Sequence, residues 1–325
     1  VYDPAGSSTN LDGESYDLTT TTYDRVNKTK DYAYGVFFQD QLTLFDRLKV
    51  LLAMRRETYN YRLAYETPEQ ENVSQTAWLP KAGATYSFPF QTHLYASYIT
   101  GFEPVASHTL AYGILEGGGD FEPEYSNQIE AGIKQELFNK NLLLTVALYR
   151  IKKTNVTQFL NPGAPVGERI FRQLGEVESE GFEVEFNGSI TRSFSLSGAY
   201  NLNDSKIEKD LDPEKVGQRL GLAPKHQGSF WMKYEFAGHN FLNGFGAGLG
   251  ASFSSKTPLL QAPDLTTPGY GVWDASLSYK INKVSINLNV NNLGNKRYYT
   301  GAVRDRERHY VGAPRNMILR LGYTL

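Results

Sequence analysis

The feature that most constrains this chain is a period of two that persists along most of its length. Val284, Ile286, Leu288 and Val290 alternate with Ser285, Asn287, Asn289 and Asn291. Met317, Leu319, Leu321 and Tyr323 alternate with Asn316, Ile318, Arg320, Gly322 and Thr324. Phe230, Met232, Tyr234 and Phe236 alternate with Ser229, Trp231, Lys233 and Glu235, and Ile129, Ala131, Ile133 and Leu137 lie opposite Glu130, Gly132, Lys134 and Glu136. Successive side chains of a strand point to opposite faces, so each segment carries one apolar and one polar face. Between turn signals the pattern predicts about thirteen strands. They span 30–44, 48–63, 75–88, 91–102, 124–138, 141–157, 168–187, 193–207, 218–236, 244–256, 270–280, 283–294 and 314–325.

The connections alternate in length. Phe45-Asp46-Arg47, Pro89-Phe90, Asn139-Lys140, Gly188 to Arg192 and Ile281-Asn282 are short, and Ala237 to Asn243 is the longest on that side. The others (64–74, 103–123, 158–167, 208–217, 257–269 and 295–313) are long, polar and rich in Gly and Pro. Short and long connections in alternation are the pattern of an antiparallel transmembrane β-barrel with tight inner turns and extended outer loops. A soluble sandwich also alternates, but its strands average ~5–6 residues, and these are two to three times longer. Aromatics gather at strand ends (Phe138 and Tyr149, Phe186 and Phe194), where barrel girdles sit. Glu176 to Glu180 is polar on both faces, as if standing above the lipid.

Composition sets the remaining bounds. With no Cys, disulfides and Cys-based metal sites are excluded. A net charge of −2 gives no basic excess for a nucleic-acid binder. No apolar run is long enough for a transmembrane helix, which says nothing against strands that need only ~9–11 residues each to cross. The mean hydropathy of −0.43 suits a wall in which half of each strand faces away from lipid. The N-terminal Val1-Tyr2-Asp3-Pro4 reads as neither a signal peptide nor a start site.

In this setting several stretches, in order, resemble one family. They are Tyr34-Gly35-Val36-Phe37-Phe38-Gln39-Asp40, Pro80-Lys81-Ala82-Gly83, Phe121-Glu122-Pro123-Glu124 through Glu130-Ala131-Gly132-Ile133-Lys134, and Gly175-Glu176-Val177-Glu178-Ser179-Glu180-Gly181-Phe182-Glu183. Ala223-Pro224-Lys225-His226, Asn289-Val290-Asn291-Asn292-Leu293-Gly294-Asn295 and Gly312-Ala313-Pro314-Arg315-Asn316 complete the set. They resemble the TonB-dependent outer-membrane receptors, and among them the ferric-siderophore receptors. The resemblance covers about residues 30–325. It departs from the family at Gly294-Asn295 and at the terminal Leu325.

The resemblance implies a barrel of about 22 strands around a plug. The chain would supply about the last thirteen, with residues 1–29 as an outer-loop segment and the plug and TonB box lying elsewhere. It implies uptake of a ferric siderophore across the bacterial outer membrane, energised by a TonB–ExbB–ExbD complex acting through the plug, with outer-membrane lipid and lipopolysaccharide as surroundings. The competing expectation is a complete passive pore of about fourteen strands, reached if residues 15–23 add one more strand to the wall. Such a wall without its partner strands is expected to aggregate through unpaired edges.

No catalytic constellation is visible. The five His are scattered without metal-ligand spacing, and no nucleophile elbow occurs. No intrinsic cofactor or metal is expected, since an iron chelate brings its own ligands. Gly244-Phe245-Gly246-Ala247-Gly248-Leu249-Gly250 keeps the period of two, which makes it a glycine-lined strand face with room for something packed inside the wall, such as a plug. The ligand-binding candidates are Trp78, Phe102, Tyr112, Tyr298 and Tyr310, whose rings suit a chelate's organic backbone. Arg304, Arg306 and Arg308 join them; on an extended run they share one face and would attract an anionic chelate or lipid phosphates. Phe102-Glu103-Pro104 lacks the Arg-Ala of the haem-receptor motif, which leaves siderophore as the better class.

Overall fold

A computed structural model describes residues 7–9, 15–17, 28–64, 70–105, 113–161, 164, 168–210, 212–237, 241–260, 262, 264–304 and 307–324. Thirteen strands form an antiparallel run in which spatial order follows chain order, and the short strand Gly113–Leu115 joins the same sheet as a fourteenth by a parallel pairing off that run. They are β1 (Lys28–Leu44), β2 (Leu48–Ala64), β3 (Gln70–Ser87), β4 (Thr92–Glu103) and β5 (Glu124–Leu137). β6 (Leu142–Phe159), β7 (Arg169–Ser189), β8 (Phe194–Lys209) and β9 (His226–Glu235) follow. The last are β10 (Phe245–Ser254), β11 (Tyr270–Ile281), β12 (Val284–Asn291) and β13 (Asn316–Tyr323). Among the described residues β1 and β13 are the two ends of this order. Ser15–Asp17 pairs with Ser7–Thr9 in a separate small sheet. The extra wall strand required by the fourteen-strand pore is therefore not formed by these residues.

Register turns the sequence alternation into two continuous faces. One row runs Ala131–Leu148–Phe182–Leu202 across β5 to β8. Another runs Ala247–Leu277–Leu288–Leu319 across β10 to β13. These residues are not stacked into a dry interior. Ile129 is 55% exposed, Leu148 63% and Leu277 47%, although all three lie on interior strands of the sheet. A soluble sandwich would have buried them. Two residues further along the same face the row becomes Arg150–Glu180–Asp204. The apolar face thus ends at one height on three neighbouring strands. β7 has 21 residues, or roughly 70 Å at ~3.3 Å each, far more than a lipid band needs. The surplus carries a charge ladder in which Glu178, 4% exposed, takes Arg150 at 2.6 Å and Lys152 at 3.1 Å, while Lys152 reaches Glu176 at 2.7 Å.

The strand predicted over 218–236 begins only at His226. Residues 212–222 fold back instead, with the Asp212 side chain accepting from the Glu214 amide at 3.1 Å and Gln218 O accepting from the Ile207 amide at 2.9 Å. The long connections also hold structure that local pattern did not predict. Gly113–Leu115 runs parallel to Arg169–Phe171, Thr257–Pro258 pairs with Thr266–Thr267, and Tyr299–Arg304 pairs with Glu307–Val311.

Candidate functional site

The polar face of β4 to β8 is organised by aromatic residues lying over glycines. Tyr95 sits directly opposite Gly132, and Tyr149 opposite Gly181. A Cβ on Gly132 would come within 2.8 Å of the Tyr95 ring, and one on Gly181 within 2.6 Å of the Tyr149 ring. Only glycine lets each ring lie across the neighbouring strand. From that position Tyr95 Oη donates to Glu130 at 2.6 Å, and Gln128 donates to the same carboxylate at 2.8 Å. Asn201 Nδ2 donates to Tyr149 Oη at 3.1 Å and to Glu183 at 2.6 Å. Glu130 and Glu183 border a concavity of about 300 Å³ together with Glu185, Asn187 and Lys134. A second concavity of about 370 Å³ over β2 to β5 is bordered by Lys49, Lys81, Lys134 and His93. The polar face is therefore acidic on one side and basic on the other, with Lys134, which also stands 5.0 Å from the Tyr95 ring centre, at the seam.

The same device corrects the reading of the glycine stripe on β10. Trp231 of β9 pairs with Gly250, and its ring occupies the space that side chains at Gly248 and Gly250 would need. The room on that strand is filled by the wall's own tryptophan. Local spacing showed the gap, but the cross-strand register decides what fills it.

At the end bearing the long connections, the loops build a layer of their own. The Leu222 amide donates to Pro258 O at 2.8 Å, and the Leu260 amide to Ala302 O at 3.1 Å. Pro258, Leu259 and Ala302 are buried there. A second group ties residues 113–123 to β7. Arg172 grips the Glu116 carboxylate through two nitrogens, one of them at 2.9 Å, and its Nη1 lies 3.7 Å from the fully buried Asp210. The hydrogen bonds from Arg172 hold the Glu116 carboxyl below its ordinary range, against a smaller desolvation effect.

The ligand candidates divide between these places. Tyr298 packs at a tilt against Tyr270 with 4.4 Å between ring centres, and Tyr310, half exposed, lies opposite Gly301, so both belong to the loop layer. Trp78 and Phe102 do not join them. Both lie on the apolar face, Trp78 beside Arg56 at 5.8 Å and Phe102 against Tyr125 at 5.8 Å. That is where a rim of interfacial aromatics belongs. The arginines do not follow one another on a single extended strand. The chain reverses between Arg304 and Glu307, which pair with each other, and Arg308 lies on the returning strand. Tyr112 and Arg306 lie outside the described residues. Sequence reasoning missed Tyr95, Asn201 and Arg172, and it read Tyr149 as a girdle aromatic, whereas the ring lies on the polar face over Gly181. Glu130 and Glu183 stand in the recognised stretches, but only the register shows that the tyrosines reach them.

With the exposed apolar face and the looped end in view, comparison with known proteins becomes decisive. A family model described as "TonB dependent receptor-like, beta-barrel" matches residues 2–293. The chain belongs to this family. It is 29% identical over 304 residues to the ferrioxamine B receptor of Salmonella typhimurium, covering 92% of this chain and 41% of that protein. It is 30% identical over 315 residues to the metal-pseudopaline receptor CntO of Pseudomonas aeruginosa, with the same coverage of 92% and 41%. In fold it is similar to the siderophore receptor PiuA of Acinetobacter baumannii, with a TM-score of 0.77, 19% identity and coverage of 98% of this chain and 50% of that one. The chain spans about two fifths of the length of the curated relatives it matches. The antiparallel sheet is thus barrel wall, and its family is one of receptors.

Proposed function

We propose that this chain forms barrel wall and ligand-capturing loops of a receptor that takes a ferric siderophore across the bacterial outer membrane, energised through TonB. The observation that carries the reading is the inverted sheet: apolar rows exposed on one continuous face, hydrogen-bonded carboxylates on the other. The first face suits lipid and lipopolysaccharide. The second suits the bore, where acidic and basic concavities would meet an internal plug coupled to the TonB–ExbB–ExbD complex. The relatives are named for ferrioxamine B and for metal-pseudopaline, which favours a chelated metal as cargo. The loop layer around Tyr298 and Tyr310 supplies aromatic surface for the chelate's organic part.

The test is growth of iron-starved cells on single ferric chelates, with and without the full-length gene. The reading expects gene-dependent growth on a particular ferric siderophore that is lost when TonB is deleted. Gene-dependent growth that survives TonB deletion would identify a passive pore instead. The arginine hairpin has its own test. Replacing Arg304, Arg306 and Arg308 with Ala should weaken chelate binding and flatten its salt dependence, and unchanged values for both remove these residues from the site.

A further inference from the structure

The short-turn end of the wall carries a feature that ligand uptake does not use. A tight turn meeting water is normally built from Asn, Asp or Gly. Here Phe45 is 91% exposed, Phe90 90% and Phe241 87%, and Phe138 is about half exposed. Three of these rings are held on left-handed backbone, at φ +51° for Phe45, +67° for Phe90 and +50° for Phe138. Bulky L-residues rarely adopt that conformation. With about nine-tenths of their surface open, the Phe45 and Phe90 rings are left uncovered among the described residues, although the turns themselves close within the chain, as in the Arg47 amide donating to Leu44 O. The long-loop side differs in what it places there: its left-handed residues among those described are glycines, Asn155, Asn292, Asn295 and Leu222 (φ +62°), and none of them carries an aromatic ring.

A second regularity accompanies the first. In four of the six short connections an apolar residue is followed two positions later by a cation: Phe45-Asp46-Arg47, Phe138-Asn139-Lys140, Ile190-Thr191-Arg192 and Ile281-Asn282-Lys283. Arg47, Arg192 and Lys283 are exposed and make no ion pair among the described residues, and Lys140 touches only Glu136, at 3.5 Å. The turns continue directly from the apolar face. An exposed ring with a neighbouring cation at the edge of such a face matches a bilayer's headgroup layer, where rings sit at the boundary and cations meet phosphate.

We infer that the short turns form a collar that inserts its Phe and Ile side chains into the adjoining lipid leaflet and binds anionic phospholipid headgroups through Arg47, Lys140, Arg192 and Lys283. The inference rests on the barrel reading for its lipid-facing band, and its test separates the two. The chain has no cysteine, so an environment-sensitive dye can be placed singly by Asn139→Cys, Gly118→Cys or Ala131→Cys in the full chain. The labelled protein is reconstituted in phosphatidylcholine vesicles with or without phosphatidylglycerol, with brominated lipids as depth-graded quenchers. The dye at position 139 should be quenched at headgroup depth, that at 131 deeply, and that at 118 not at all. Replacing the four cations with Gln should reduce the preference for phosphatidylglycerol vesicles by roughly 600-fold, at about fivefold per cation. Phe45→Asn with Phe138→Asn relieves the backbone, because Asn tolerates left-handed φ, and should move the dye at 139 toward water while the dye at 131 stays deep. A dye at 139 as water-exposed as that at 118, with 131 deep, overturns the collar. An unchanged lipid preference in the cation variant removes the headgroup role. A dye at 131 in water would overturn the barrel reading itself.

Discussion

On β6, two consecutive residues are treated in opposite ways. Leu148 is 63% exposed on the apolar face. Tyr149, on the other face, lies flat over Gly181 and accepts a hydrogen bond from Asn201 at 3.1 Å. In a water-soluble sheet the apolar neighbour would be covered and the polar one left to solvent. Here the polar face makes the defined contacts, and the apolar face makes few beyond its own row. The difference teaches that the solvent of this wall is lipid on one side. It also accounts for the small buried cluster found among the described residues, Val177 and Ile207 with Val156 and Leu220 packed on it.

The largest expected effect comes from putting a charge on the wrong side of that comparison. Val146→Arg, two residues deeper than Leu148 on the same apolar face, places a guanidinium mid-way along the band and should cost about 2–4 kcal/mol in vesicles, read by urea unfolding. The control, Leu143→Arg, faces Glu183 and Glu185 across the polar concavity and should cost well under ~1 kcal/mol. Equal costs would erase the distinction between the faces. Next come the glycines under the tyrosines. Gly132→Val and Gly181→Val drive side chains into the Tyr95 and Tyr149 rings and should each destabilise by about 1–3 kcal/mol, seen in the same unfolding curves. Gly271, whose nearest neighbour lies 3.8 Å from a built Cβ, should tolerate Ala with little change.

How much of this was legible in the sequence follows from how local each signal is. All thirteen wall strands announce themselves because a period of two is written in consecutive residues. The hairpin from Tyr299 to Val311 and the Thr257–Pro258 pairing with Thr266–Thr267 do not, because their strands are too short to show a period. Trp231 over Gly250 and Tyr95 over Gly132 depend on which residue stands opposite which, and no single strand contains that information. The aromatic candidates illustrate the same limit. Composition marked Trp78, Phe102, Tyr298 and Tyr310 alike, and only register separates the two on the apolar face from the two in the loop layer.

The smallest expected effects come from single polar contacts. Tyr95→Phe removes one hydrogen bond to the half-buried Glu130 and should cost about 1 kcal/mol, with the fold unchanged by circular dichroism. At the Glu116–Arg172 clamp the carboxyl is held below its ordinary range, so its contribution is complete above the ordinary glutamate pKa of ~4.3 and is lost as pH falls through the lowered value. The protection of the Glu116 amide, which donates to Phe171 O at 2.8 Å, relative to its intrinsic exchange rate should therefore fall as pH drops through that value. Glu116→Gln should remove that pH step with little change in overall stability, because the pair is partly solvent-exposed.

The most direct test of the central claim is a nitroxide scan along β6 from position 142 to 150 in lipid vesicles, one cysteine at a time. Lipid-dissolved oxygen should reach labels at 144, 146 and 148, labels at 143, 145 and 147 should be shielded from it, and the lipid signal should end at 150, where Leu gives way to Arg; Leu142, buried beside the short turn, should be shielded as well. A scan without a two-residue period, or one in which positions 144, 146 and 148 are shielded from both lipid and water, would contradict a wall whose apolar face meets the membrane.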